Sequence, residues 1–321
     1  MTYTSGGLIQ ATDYNGFVST NASANVNDVW GIGSGDKGWG QSGISTVAAT
    51  NTITATQWAS LVNTIASMGS QTGTAITART APTAGQTIGI LSALNTDLTN
   101  ITTNRLNAVA QGSQFTGWTG TNSKTATTSG ATWTITFTNT VTFASANAAR
   151  HFFNAGGSIK LDVSKTSTSQ TGDPEWNDLA NTLCGDIFFT AGTATQTIAG
   201  TSYTGTTKIG GTGVPNTLAT TTGFYDLVAG AAATIIYKQF ADTAPYTSNF
   251  IQHSVALNAS STVLTFTTLW SASDGDPISG GTAASGATPG TAPCTICTYY
   301  PPSTTYLNNS WGTPSVAATT A

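Results

Sequence analysis

Few residues in this chain invite chemistry, and most of those sit among glycines. Residues 29–43 read VWGIGSGDKGWGQSG, with Asp36 and Lys37 as the only charges. Such a loop could cradle a phosphate if its glycines led into a helix whose first amides faced the anion. Gly33, Gly35 and Gly38 do satisfy G-x-G-x-x-G spacing. A dinucleotide fingerprint also needs a buried strand before the turn and a helix directly after it. Here the preceding residues have helical periodicity, and no apolar helix begins at once. A P-loop needs Ser or Thr after its lysine, whereas Gly38 follows Lys37. The stretch therefore reads as a tight surface loop pinned by Trp30 and Trp39, with no nucleotide and no cofactor.

Three other groups have reactive residue types. Asp173, Glu175 and Asp178 lie in TGDPEWNDLAN; carboxylates held about 5 to 10 Å apart can hydrolyse a glycosidic bond, and Trp176 would suit a sugar ring. The same residues make an ordinary helix start, with a cap, a first-turn proline and an acid at the positive end of the dipole. The helix start is the preferred reading. Asp274-Gly275-Asp276 could hold calcium with loop carbonyls, but is read as an exposed acidic turn. Cys294 and Cys297 form C-x-x-C, with Cys184, His151 and His253 left to complete a zinc site. The motif lies in a Gly/Pro-rich context that reads as loop; free thiols, a stapling disulfide and a metal site stay open, in that order. His151 reads as a strand-start residue. No catalytic or metal residue is assigned, and the chain is expected not to be an enzyme.

The composition narrows the partners. Only 7% of residues are charged, against roughly a quarter in ordinary soluble domains, and the formal net charge is −4. Eight Trp, nine Tyr and twelve Phe favour packed cores over disorder. The nine Lys and Arg are scattered, so nucleic acid is not an expected partner. No run of 18 apolar residues is present, and MTYTSGGLIQ lacks the basic and apolar regions of a signal peptide. Membrane insertion is therefore not expected, and export would follow lysis or a dedicated route.

The elements that must position these groups follow from periodicity. Tyr14, Phe17, Val18, Val26 and Val29 predict a helix over 13–29. Thr54 or Thr56 caps a second, with Trp58, Leu61, Val62, Ile65 and Met68 on one face and Gly69 ending it. In a third, Leu91, Leu94, Leu98 and Ile101 fall at 3-4-3 spacing, about two heptads. Such a seam could seat three copies of the chain, or lie on its own core. Beyond residue 113 the period becomes alternating. Trp133, Ile135 and Phe137 share a face, a turn is expected at Asn139, and Val141 and Phe143 resume the strand. HFFNAGGSIKLDVS reads as a hairpin turning at Asn154–Gly157. Further strands are expected at GDIFFTAG, TTGFYDLV, ATIIYKQFA, NFIQHSVAL and STVLTFTTLWSA. From Asp274 the Gly/Pro/Ala-rich chain reads as a linker or extended arm, with Tyr299, Tyr300, Tyr306 and Trp311 available to dock the tail. The expected fold is thus α+β, mainly β: a helical assembly region (1–112), an antiparallel β-sandwich (113–273) and a C-terminal arm (274–321).

Three strings in order, ATDYNGFVSTNASANVNDVWGIGSGDKGWGQS, TITATQWASLVNTI and VTFASANAARHFFNAGGSIKLDVS, resemble a family of tailed-bacteriophage virion structural proteins, especially of cyanophages and related myoviruses. The resemblance spans about residues 9–165, and His151 stands where that family usually has Tyr. It implies a non-enzymatic subunit of the tail, neck or fibre, located in the virion and contacting copies of itself (trimer or higher) and other virion proteins. The glycine loop would then be a structural joint, with Trp30, Gly33, Gly35, Trp39, Trp58, Leu91, Leu94, Leu98 and Ile101 as its assembly residues. Alternatives are a capsid decoration protein, a fibre tip whose Trp118, Trp176 or Trp270 stacks on host surface glycans, and a depolymerase acting through the acids of TGDPEWNDLAN.

Overall fold

Alternation of apolar and polar residues organises two antiparallel sheets, and an amphipathic helical region packs on them. The computed structural model describes residues 10–21, 24–84, 91–113, 115–118, 132–166, 173–273, 278–279, 282–283 and 293–320. The helices are α1 (Ala11–Asn15), continued by a π-helical turn to Thr20, then α2 (Val26–Val29), α3 (Ala55–Thr72), α4 (Leu91–Thr103), α5 (Ala146–Asn154) and α6 (Asp173–Asp178). The strands are β1 (Phe115–Trp118), β2 (Trp133–Thr142), β3 (Ser158–Lys165), β4 (Asp186–Phe189), β5 (Gln196–Ile198), β6 (Thr201–Tyr203), β7 (Thr206–Ile209) and β8 (Thr217–Leu218). They continue as β9 (Thr234–Phe240), β10 (Phe250–Leu257), β11 (Val263–Ala272), β12 (Ile278–Ser279), β13 (Thr282–Ala283), β14 (Pro293–Tyr300) and β15 (Ser315–Thr320). One sheet has the order β1-β14-β3-β4-β7 and the other β15-β2-β11-β10-β9-β8, while β5–β6 and β12–β13 pair separately. The fold is α+β and mainly β.

The two sheets bury facing rows. Ile135, Phe137, Val141, Phe266, Trp270 and Ile251 line the six-stranded sheet, and Ile159, Leu161, Ile187, Phe189 and Cys297 line the five-stranded one. Phe189 meets Phe266 across the gap at 5.5 Å between ring centroids. Each such fully buried side chain contributes about 1.5–3 kcal/mol. The helices join the same core. Trp58 of α3 packs between Tyr14 and Phe17, 5.5 and 6.2 Å away. On α5, Phe152 contacts Phe143 and Phe153 stacks on Phe224. Residues 10–112 therefore share their interior with the β-region, where the sequence suggests a separate unit.

Several expectations are corrected. The helix expected over 13–29 is interrupted, because Asn25 turns its amide to the backbone, accepting from the Asp28 N–H at 2.9 Å and donating to Asn21 O at 2.8 Å. Thr54 and Gln57 form the capping box of α3, but that helix runs past Gly69 and ends at Gly73. The expected hairpin at 151–164 is instead helix α5 followed by β3: Ser145 caps the Ala148 N–H at 3.0 Å, and Asn154–Gly157 is the turn from helix to strand. His151 thus lies in a helix. Asn139 makes no turn; its backbone pairs in register with Phe266 on one side and Ala318 on the other, and two ladders override its turn preference. Phe224–Asp226, expected as strand, is a 3₁₀ turn closed by the Gly223 N–H on Asp226 at 2.9 Å.

The tail, read as a linker or an arm docked by its aromatics, instead supplies strands to both sheets in its described part. β14 sits between β1 and β3, and β15 pairs with β2 along the edge of the other sheet. The C-x-x-C lies within β14, where positions three apart point to opposite faces. Cys294, Cys297 and Cys184 are buried and in no disulfide, and burial pushes the Cys184 and Cys297 thiols up to about 12. The Asp274-Asp276 turn lies outside the described residues, as do the side chains of Leu91, Trp118 and Asp173.

Candidate functional site

The glycine loop closes on itself first. Trp39, Gly40 and Gln41 donate their N–H groups to the carbonyls of Val29, Gly31 and Trp30 at 2.8, 2.8 and 3.0 Å. Trp30 and Trp39 meet edge-on at 6.3 Å. This closure needs φ values of +56° at both Gly33 and Gly35 and +69° at Gly40. At Gly40 the demand is also one of space, since a Cβ there would stand 2.2 Å from His151 Nδ1. Gly35 has no heavy atom within 4 Å of that position, so only its backbone angle requires glycine.

Helix α5 then gathers the loop's carbonyl oxygens. Arg150 Nε donates to Gly35 O at 3.0 Å, and an Arg150 Nη donates to Lys37 O at 3.0 Å. Asn154 Nδ2 donates to Lys37 O at 2.9 Å and to Gly38 O at 3.1 Å. Tyr225 donates its hydroxyl to Asn154 Oδ1 at 2.7 Å, which fixes the amide orientation, and also reaches Gly35 O at 2.9 Å. Burial pushes the Tyr225 phenol up to about 12, so it remains a donor. His151 is lowered, chiefly by burial; its Nε2 faces Ile32 O at 3.3 Å and therefore carries the ring proton. A phosphate cradle needs amides turned outward, and this loop turns carbonyls inward onto donor side chains.

The rest of the joint ties distant segments together. Trp39 Nε1 donates to Asn154 O and Arg105 O at 3.0 and 3.2 Å. Arg105 pairs with Asp36, and Lys37 with Asp28 at 3.5 Å. Gln41 holds Asn308 by both ends, accepting its N–H at 2.8 Å and donating to its carbonyl at 2.9 Å. A groove of about 530 Å³ opens beside the loop, lined by Asn27, Ile32 and Gln41 among others. Ile32 is 64% exposed there.

The residues expected to contact neighbouring subunits fall in two places. Gly33, Gly35, Trp30 and Trp39 come together in this joint, but Trp39, Trp58, Leu94, Leu98 and Ile101 are buried within the chain's own core. Leu94, Leu98 and Ile101 of the α4 seam lie against this chain's interior. Trp176 and Trp270, expected as sugar platforms, are buried and stacked on each other at 5.7 Å. Arg150, Asn154, Tyr225 and Gln41 were not picked out by sequence reasoning; the R-x-F-F-N spacing of α5 was the available signal for the first two. Comparison with protein families, curated proteins and solved structures found no match to this chain.

Proposed function

We propose that this chain is a non-enzymatic structural subunit of a tailed-bacteriophage particle, in the tail, neck or fibre, and that the glycine loop is a rigid joint of its assembly surface. One observation carries the reading: the loop and the R-x-F-F-N segment, which bear the resemblance to virion proteins, bind each other directly, Asn154 and Arg150 holding the carbonyls of Gly35, Lys37 and Gly38. A motif pair joined in this way is suited to presenting a fixed surface. Exposed Ile32 beside its groove is the apolar contact we assign to a neighbouring subunit. With Leu94, Leu98 and Ile101 of α4 buried, we assign self-association to this loop face. The low charge of the chain is consistent with extensive contacts to other virion proteins.

The fibre-tip reading loses two of its three named platforms, because Trp176 and Trp270 are interior; the side chain of Trp118 lies outside the described residues. The depolymerase reading loses the same aromatic beside its acids. Mass spectrometry of purified, DNase-treated particles of the encoding virus should find tryptic peptides of this chain at a fixed stoichiometry. Their absence from clean particles would refute the proposal.

A further inference from the structure

Away from the joint, α6 and the segment after β9 bring three acids together. One carboxylate oxygen each from Glu175, Asp178 and Asp242 lie within 4.8 Å of one another. Like charges at that separation repel unless something lies between them. The ion pairs among the described residues involve other acids, so no lysine or arginine relieves this group. Glu175 is 9% exposed, and its Oε1 is fully buried with no hydrogen-bond partner. Thr243 serves the Glu175 carboxylate with both its N–H and its hydroxyl, the hydroxyl also standing 3.2 Å from Asp242 Oδ1, yet Oε1 itself stays without a donor. An orphaned buried carboxylate oxygen is costly and calls for a counter-charge.

We infer that Glu175, Asp178 and Asp242 form a binding site for a hard divalent cation of calcium's size. Calcium takes oxygen ligands at about 2.3–2.6 Å, so two oxygens on one ion can stand up to about 5 Å apart, which spans the observed separation. Magnesium, at about 2.0–2.1 Å, draws its ligands closer and fits less well. An all-carboxylate set excludes a preference for soft metals. Asp178 is half-buried and Asp242 exposed, so the ion enters from solvent and completes its shell with water. Burial, then the charges of Asp178 and Asp242, raise the Glu175 carboxyl; a bound cation reverses that direction.

Terbium serves as the probe, because it replaces calcium in oxygen sites and Trp176, next to Glu175 in sequence, can sensitise its emission. Titrating Tb³⁺ into the full chain should give saturable emission on tryptophan excitation, displaced by Ca²⁺ at concentrations at least tenfold below those of Mg²⁺. Asp242→Asn, at an exposed position, should weaken Tb³⁺ binding at least tenfold while leaving the near-UV circular dichroism unchanged; Glu175→Gln should abolish it. Absence of saturable emission, or emission unaffected by Asp242→Asn, overturns the site. If Glu175→Gln does not fold, Asp242→Asn and Asp178→Asn decide the matter by themselves.

Discussion

Asn154 shows how much one side chain can organise: its amide donates to two loop carbonyls while its oxygen accepts from Tyr225. Asn154→Ala takes the side-chain donor from Gly38 O and one of two partners from both Lys37 O and the Tyr225 hydroxyl, and urea denaturation should show a loss of about 1–3 kcal/mol. The glycines sort by what surrounds them. Gly40→Ala drives a methyl into the His151 ring and should cost about 3 kcal/mol, whereas Gly35→Ala bears only the backbone penalty, about 1 kcal/mol. His253 contributes acid sensitivity. It is fully buried, with Nδ1 on Thr268 Oγ1 at 2.9 Å and its ring stacked on Tyr237, and burial lowers it to about 3. The unfolded chain takes up this proton near pH 6.5 and the folded chain does not. The stabilisation is therefore complete above that pH and declines as pH falls towards 3. Between pH 7 and 4.5 the wild type should lose about 2–3 kcal/mol more than His253→Leu, measured by urea titration at both pH values.

At the level of elements, the capping box of α3 is a local device with a local effect. Thr54→Ala should lower stability by about 1 kcal/mol, read as a shift in denaturation midpoint with unchanged slope. In β14, the opposed directions of Cys294 and Cys297 give a chemical test: the native protein's thiols should stay unreactive to a disulfide reagent, and all three should react once denatured. The long strands were legible because β2 and most of β11 alternate and β10 is rich in apolar residues between turn signals, and α3 because a capping threonine precedes its apolar stripe. Segment 151–157 misled because two phenylalanines before Asn-Ala-Gly-Gly are also a hairpin's composition; the deciding cap, Ser145, stands before the segment. Asn139 misled because its turn preference is local while its two strand partners, Phe266 and Ala318, are far along the chain. Of the joint, the glycines and tryptophans could be read directly. The residues that hold it could not, since Asn154 and Tyr225 meet the loop across 117 and 190 positions.

Across the whole molecule, the helical region, both sheets and the described tail share one interior. Removing residues 293–321 should consequently cost the entire fold: the shortened chain is expected to lose its near-UV circular dichroism and aggregate, where loss of a mere arm would leave the rest intact. The position of β14 between β1 and β3 also bears on when this layer closes. During translation, the five-stranded layer lacks the partner that β1 requires until residue 300 has cleared the ribosome, because that pairing spans nearly two hundred positions of nascent polypeptide. β1 and β3 are thus made long before the strand that joins them, and this layer closes only once β14 follows.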